Sequence, residues 1–576
     1  MASVAAVSSR RLHPIASLVA LALLTAACSS SSTSSAPSST ATPTTVADTA
    51  APVATDAPTT SVAAPACAAP TTTSPVNAKD LGNRRDWDVT SFDGTVIRAH
   101  WFPVAGATAA APAPTLLMGP GWGSAGDTDT SAPGILGAIS IKTLTDDGYN
   151  VLTWDPRGFG ASTGKAEVDK PQFEGRDVQQ LIEWVATQPG VQLDGARDPR
   201  MGMVGASYGG AIQFATAMQD CRVDALVPVI AWHSLATSLF KANTPKLGWA
   251  GILMLAASAA HLDPIITAAN ESAKANGTFS NEAAAFFTGS GPGDDVSKVK
   301  VPTLIIQGTV DTLFSLDEAV TNFSELQAAG TTVAMLWYCG GHGVCLTKAG
   351  DATLVSSNAT AWLDRYVKGN TSAKAVPTFQ FVDQDGTLYT ADSYPGTKDP
   401  TAARGTPVTA SGSGTLKLIA DGGAGPSTAK PADGGLVASV ALGITPAKAT
   451  NAVNVKISAP AAEVLLVGAP QLHLTYSGTS APGDRPSSVF AQLVDDSTGL
   501  VLGNQITPLP VTLNGAEHQL DIPLEMIAHR FAPGATLTLQ LVATTVAYVQ
   551  PRLGGSVTFS KIDISLPVIT GATKAS

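Results

Sequence analysis

Between about residues 85 and 370 the chain repeats one pattern, a short apolar run followed by a longer amphipathic stretch. The runs at 95–101, 115–118, 150–154, 201–204, 225–230, 303–307 and 332–337 are too short for helices and read as strands. Segments between them, such as 175–187 and 210–218, carry helical periodicity. Short apolar strands alternating with helices predict a buried, mostly parallel sheet covered by helices. The alternation stops between about 235 and 297, where Ala-, Leu- and Asn-rich helical signals such as 251–261 dominate. An insertion there is expected to form a helical cap over the active edge of the sheet. After about 375 the period changes to two, as in Leu472-His473-Leu474-Thr475-Tyr476 and Leu537-Thr538-Leu539-Gln540-Leu541. Residues 489–494 and 500–502 bracket Asp495-Asp496-Ser497-Thr498-Gly499, a hairpin turn signal. Short strands separated by Gly/Pro-rich turns predict an all-β sandwich.

The full length of 576 residues is too great for one core. The pattern divides it into an export segment (1–28), a linker (29–77), an α/β catalytic domain (78–372, cap at about 235–297) and a β domain (373–576). Hydrophobic residues make up 44% and charged residues 14%, which excludes general disorder. The net charge of -11 and the absence of a Lys/Arg run exclude a nucleic-acid partner.

Arg10 and Arg11 precede an apolar stretch at 15–24, a length typical of a signal and short for a membrane span. The following Leu24-Thr25-Ala26-Ala27-Cys28 resembles a bacterial lipoprotein processing site, with Cys28 as the lipidated first residue. The alternative is ordinary cleavage at Ala27, which releases a soluble protein. The expected location is therefore the outer face of the cytoplasmic membrane, through a lipid anchor, or the medium. Residues 29–77 are almost wholly Ser, Thr, Ala and Pro and read as a flexible stalk. Export permits disulfides. Cys339 and Cys345 are close enough to staple one loop, and Cys67 could then pair with Cys221. Free buried thiols are the alternative, because spacing alone does not fix connectivity.

The chemistry centres on Gly205-Ala206-Ser207-Tyr208-Gly209-Gly210, where glycines flank a serine between a strand-like and a helix-like run. Such a turn holds a serine exposed and strained. A second match, Gly160-Ala161-Ser162-Thr163-Gly164, has no strand directly before it, so Ser207 is the candidate nucleophile. A serine needs a base, and in this fold the chain order is Ser, acid, His. Of eight histidines, His342 alone follows the acid position within the α/β region, in Cys339-Gly340-Gly341-His342-Gly343. Asp311 stands at the end of the run at 303–307 and is the candidate acid. Asp317 and Glu318 compete, but both fit a helix start. For the oxyanion, the backbone N–H groups of Tyr208 and Trp122 are the expected donors. Trp232, His233 and Trp249 are expected to shape the pocket from the cap. No His/Cys/Glu cluster has metal-ligand spacing, so neither a metal nor a cofactor is expected.

With these residues in place the chain resembles the X-prolyl dipeptidyl-peptidase / cocaine-esterase family of serine hydrolases. Asp155-Pro156-Arg157-Gly158-Phe159-Gly160-Ala161-Ser162 is similar to that family's Asp-x-Arg-Gly-x-Gly-x-Ser loop, and Ser207-Tyr208-Gly209-Gly210 to its elbow. Asp177 through Glu183-Trp184 and Gln188-Pro189 is similar to the helix between them. The resemblance implies an α/β-hydrolase fold with a helical cap, followed by a jelly-roll (galactose-binding-like) sandwich. It departs at Trp122, where relatives often carry a tyrosine whose hydroxyl serves the oxyanion, and at Gly190, where they carry Trp. The expected activity is hydrolysis of an ester, amide or peptide substrate, an X-Pro dipeptide being one candidate and a carboxylesterase or acylase substrate another. A non-catalytic surface binding protein on the same scaffold is the alternative of another class. Nothing in the chain specifies an oligomeric state.

Overall fold

The computed structural model of the protein describes residue 70 and residues 73–575, except 84, 136–138, 396–403 and 432–435. The export segment with Cys28, most of the stalk, and Cys67 lie outside the described residues.

Strands β1 (Ala78–Asp80), β2 (Asp86–Thr90), β3 (Val96–Phe102), β4 (Thr115–Gly119), β5 (Asn150–Trp154), β6 (Met201–Ala206), β7 (Ala225–Val229), β8 (Thr303–Gly308), β9 (Val333–Tyr338), β10 (Phe379–Val382) and β11 (Leu388–Ala391) form one sheet. Their spatial order is β1-β2-β3-β5-β4-β6-β7-β8-β9-β10-β11, and Thr573–Lys574 adds a twelfth strand beside β11. From β5 to β10 all neighbours run parallel. Every residue of β4, β5, β7, β8 and β9 is buried. Helices cover both faces, so these strands read in sequence as unbroken apolar runs.

The covering helices are α1 (Ile141–Asp146), α2 (Arg176–Val185), α3 (Tyr208–Ala217), α4 (Leu235–Leu239), α5 (Leu247–Ala256), α6 (Pro264–Asn276), α7 (Asn281–Thr288), α8 (Leu316–Ala328) and α9 (Leu354–Tyr366). Helices α4 to α7 form the cap. Its start and stop signals are local: Asp263 accepts the Ile265 N–H, Pro264 opens α6, and Gly277 at φ 74° closes it.

The sheet differs from the expectation at its far side. The β domain is expected from 373, yet β10 pairs in parallel with β9 and β11 returns antiparallel to it. The large sheet therefore continues through Ala391. Beyond it lie two four-stranded antiparallel sheets, Val408–Lys417, Gly555–Leu566, Gln471–Ser480 and Asn514–Pro523, and Ala452–Ser458, Thr536–Val542, Ser488–Asp495 and Thr507–Pro510. Ile457, Leu472, Leu474, Leu539 and Ile564 from both sheets share one core. The second arm of the hairpin expected at 500–502 shrinks to a single bridge between Val494 and Val501. Gly503 and Asn504, at φ 61° and 58°, then turn the chain toward the loops after β8 and β9.

The Asp155–Ser162 motif is scaffold. Asp155 accepts the N–H groups of Gly126 (2.8 Å) and Ala161 (2.7 Å). A Cβ on Gly160 would lie 2.2 Å from its Oδ2. The Ser162 hydroxyl donates to the Asp155 carbonyl at 2.6 Å and accepts the Arg98 N–H at 2.8 Å, which explains the second serine motif without catalysis. Arg157 makes two 2.7 Å bonds to Asp177, tying the loop after β5 to α2. Both side chains are almost fully buried. Arg157→Ala would strand the Asp177 carboxylate in the interior, and a loss of about 3–5 kcal/mol is expected. Urea unfolding checks it; a loss below about 1 kcal/mol would refute the scaffold role.

Candidate active site

At the end of β6 the chain must turn into α3 within touching distance of β4. A Cβ on Gly209 would lie 2.1 Å from the Gly119 carbonyl oxygen, and one on Gly205 would lie 2.3 Å from that of Gly209. Only glycine permits this approach. Ser207 sits at the apex with φ 57° and ψ −117°, a conformation that costs a non-glycine residue strain. Its backbone N–H donates to the Val229 carbonyl of β7 at 2.9 Å, which anchors the strained turn.

Two further loops meet the serine. Asp311 follows β8, is wholly buried, and accepts the N–H groups of Leu313 (3.0 Å) and Phe314 (2.8 Å) on Oδ1. Its Oδ2 lies 2.8 Å from His342 Nδ1, and His342 Nε2 lies 2.9 Å from Ser207 Oγ. An ionised carboxylate can only accept, so Nδ1 carries the proton and Nε2 is free to accept from the serine hydroxyl. Gly341 (φ 111°) lets the base loop cross Asp311, since a Cβ there would lie 2.6 Å from the Asp311 Cβ. Phe314 and Trp249 pack edge-on against the imidazole at 5.0 and 5.9 Å. Cys339 and Cys345 form a disulfide that brackets His342. Cys221 is also disulfide-bonded, and the pairing with Cys67 lies outside the described residues.

The competing acids serve elsewhere. Asp317 pairs with Lys241. Glu318 accepts the N–H groups of His233 (2.8 Å) and Ser234 (3.0 Å), fastening the cap to α8. The N–H of Trp122 and that of Tyr208 donate to no backbone carbonyl among the described residues. Trp122 and Trp232 line the pocket, whereas His233 does not; it turns away to Asn322 Oδ1 at 2.9 Å. His233, Asp294 and Glu325 have possible metal-ligand atoms within 4.8 Å of one another, but they lie on a separate groove and Asp294 is fully exposed.

Sequence reasoning passed over two groups. One lies across the domain boundary: Gln505 Nε2 donates to the Asp311 carbonyl at 2.8 Å, and Asn504 Nδ2 to the Val344 carbonyl at 2.8 Å. The positive-φ turn at Gly503-Asn504 is their only local signal. The other lies beneath the elbow, where Tyr208 donates its hydroxyl to Glu174 Oε1 at 3.3 Å beside fully buried Asp169. Asp169 has no hydrogen-bond partner for either carboxylate oxygen. Burial, reinforced by the charge of Glu174, raises its pKa well above the ordinary carboxylate value. Burial first, and the Asp177 charge second, push Glu174 up to about 8.

Comparison with known proteins adds to this geometry. Residues 93–343 match the family described as X-Pro dipeptidyl-peptidase (S15 family). A polyketide transferase from Penicillium sp is 30% identical over 148 residues, 25% of this chain and 44% of that protein. The chain thus spans less than half the length of the curated relatives it matches. A CocE/NonD family hydrolase from Staphylococcus aureus superposes with a TM-score of 0.62 at 14% identity, over 84% of this chain and 93% of that one. An α-amino acid ester hydrolase superposes with a TM-score of 0.57 at 14% identity, over 90% and 99%. At such identities the likeness is one of fold, and it extends over the β-rich part. The class defined by fold and site is the α/β-hydrolases. Within it, residues 93–343 match the model of the X-Pro dipeptidyl-peptidase (S15) family, to which this part of the chain is similar.

The raised Glu174 carboxyl sets a pH dependence of stability. Folded Glu174 holds its proton up to about 8, while the unfolded group releases it near 4.5. The native state binds more protons in between, so its contribution is full below the unfolded value and is lost as pH rises to the folded one. Stability from denaturant titrations should therefore decline between about pH 5 and 8, and less so in Glu174→Gln. Parallel profiles for the two proteins would refute the shift.

Proposed function

We propose that the protein is a serine hydrolase that cleaves ester or amide bonds through an acyl-enzyme on Ser207. The observation that carries this reading is the continuous chain Ser207 Oγ–His342 Nε2 (2.9 Å) and His342 Nδ1–Asp311 Oδ2 (2.8 Å) at a strained elbow. In the first step Ser207 Oγ attacks the carbonyl carbon while His342 Nε2 takes the hydroxyl proton. Asp311 keeps the imidazole in the tautomer that can accept, and offsets the charge of the imidazolium. The Tyr208 and Trp122 N–H groups serve the oxyanion, in place of the hydroxyl donor that relatives often carry. His342 then returns the proton to the leaving alcohol or amine. Water, deprotonated by the same imidazole, releases the acid and restores Ser207. The Trp249 and Phe314 rings beside the imidazole limit water access to the base.

We also infer export with a lipid anchor at Cys28. The small-residue run before that cysteine and the disulfide at Cys339–Cys345 support it.

Purified protein should label with a fluorophosphonate probe, and Ser207→Ala should abolish labelling. Asp311→Asn should lower kcat on an activated ester by about 10⁴-fold, because the wrong tautomer then faces the serine. Folded protein that never labels would refute the hydrolytic mechanism. For the anchor, wild-type protein expressed in a bacterium should partition into detergent in Triton X-114 phase separation, and Cys28→Ala should remain aqueous. Equal partitioning of the two would refute the anchor.

A further inference from the structure

The space beside the nucleophile differs in character from the rest of the site. About 780 Å³, open at its mouth, lies between Ser207 and the cap helices α4 to α7. Leu235, Leu253, Met254, Ile266, Phe287 and Phe314 are among its walls. Apart from Ser207, every polar handle on its lining with a defined bond is turned to the protein. Trp122 Nε1 donates to the Leu253 carbonyl at 3.0 Å and Trp232 Nε1 to that of Ser290 at 3.2 Å. The Tyr208 hydroxyl donates to Glu174, and Lys246 Nζ donates to the Leu313 carbonyl at 2.9 Å. Asn270 is the remaining polar residue, its side-chain oxygen buried without a hydrogen-bond partner, and no acidic side chain lines the pocket. Val168 also lines it, held at φ 63°. That conformation is unfavourable for a β-branched residue and persists only where the surroundings enforce it.

From this lining we propose that the acyl half of the substrate is an uncharged hydrocarbon chain of medium length, and that an acyl group with a free amine is rejected. The proposal rests on the serine-hydrolase reading above and names its substrate class. A dipeptidyl-peptidase must hold the ammonium of its substrate's N-terminus. Here that ammonium would leave water for a wall without a carboxylate and with Lys246 already present, an arrangement in which its charge is uncompensated. A hydrocarbon chain loses little on entering, because the polar groups it meets are already satisfied, the Asn270 oxygen excepted. The apolar walls of the space come from all four cap helices, with Leu235 of α4, Leu253 of α5, Ile266 of α6 and Phe287 of α7.

The test uses the full mature chain and four p-nitrophenyl esters: acetate, butyrate, hexanoate and octanoate. Burying one methylene contributes about 0.8 kcal/mol, so kcat/KM should rise about fourfold per methylene until the pocket is full. Octanoate should exceed acetate by at least about 100-fold, and Ala-Pro-p-nitroanilide should be cleaved only at background. Ala269 lies on α6 at the pocket wall, and Ala269→Phe should lower the octanoate-to-acetate ratio at least about tenfold. Ala250→Phe, from α5, makes the same test if the first variant does not fold. A flat or falling chain-length profile in protein that labels fully with fluorophosphonate overturns the acyl class and leaves the hydrolase reading standing. So does efficient cleavage of Ala-Pro-p-nitroanilide. Protein that neither labels nor cleaves any ester overturns both.

Discussion

The backbone contact between β4 and the start of α3 is the constraint on which the site depends. Gly119 and Gly209 touch where no side chain could be placed between them. That contact forces Ser207 into its left-handed turn and lifts its hydroxyl above the sheet. Everything else is positioned relative to that point. Asp311 stands just after β8 and His342 in the loop after β9, so two further parallel strand ends converge on the serine. The sheet supplies rigidity, and the loops supply the functional groups.

Around this frame, α2 carries an unusual load of buried polar groups. Asp177 meets Arg157, and Glu183 meets Arg222 at 2.6 Å. Such pairs add little net stability over apolar substitutes, but losing one partner is costly. They therefore penalise misplacement of the helix more than they stabilise it. Asp169 and Glu174 are different, since neither has a cationic partner with which it pairs. Burial raises both carboxyls above the ordinary carboxylate value and so favours their neutral forms.

The parallel strands were legible because burial on both faces leaves an uninterrupted apolar run, as in Asn150–Trp154 and Val333–Tyr338. The meeting of Ser207, Asp311 and His342 was legible because the turn, the strand end and the glycine-rich loop each impose a local composition. The end of the hydrolase sheet was not. Phe379–Val382 and Leu388–Ala391 form a hairpin, and a hairpin reads the same whether it joins a sandwich or extends a parallel sheet. His233 was misplaced because aromatic bulk in a cap does not say which face it presents. Gln505 and Asn504 could not be found at all, since they act on main-chain carbonyls far away in sequence. Nor does composition announce that a carboxyl such as Asp169 has been sealed from water.

Those two amides also bear on timing. Asn504 reaches a carbonyl that precedes it by 160 residues, and Gln505 one that precedes it by 194. A ribosome has therefore made every member of the Ser207–His342–Asp311 chain long before it makes the residues that brace the acid and base loops. A nascent chain halted after α9 would carry the reactive side chains without that brace. The brace on these two loops is therefore the last part of the site to be made.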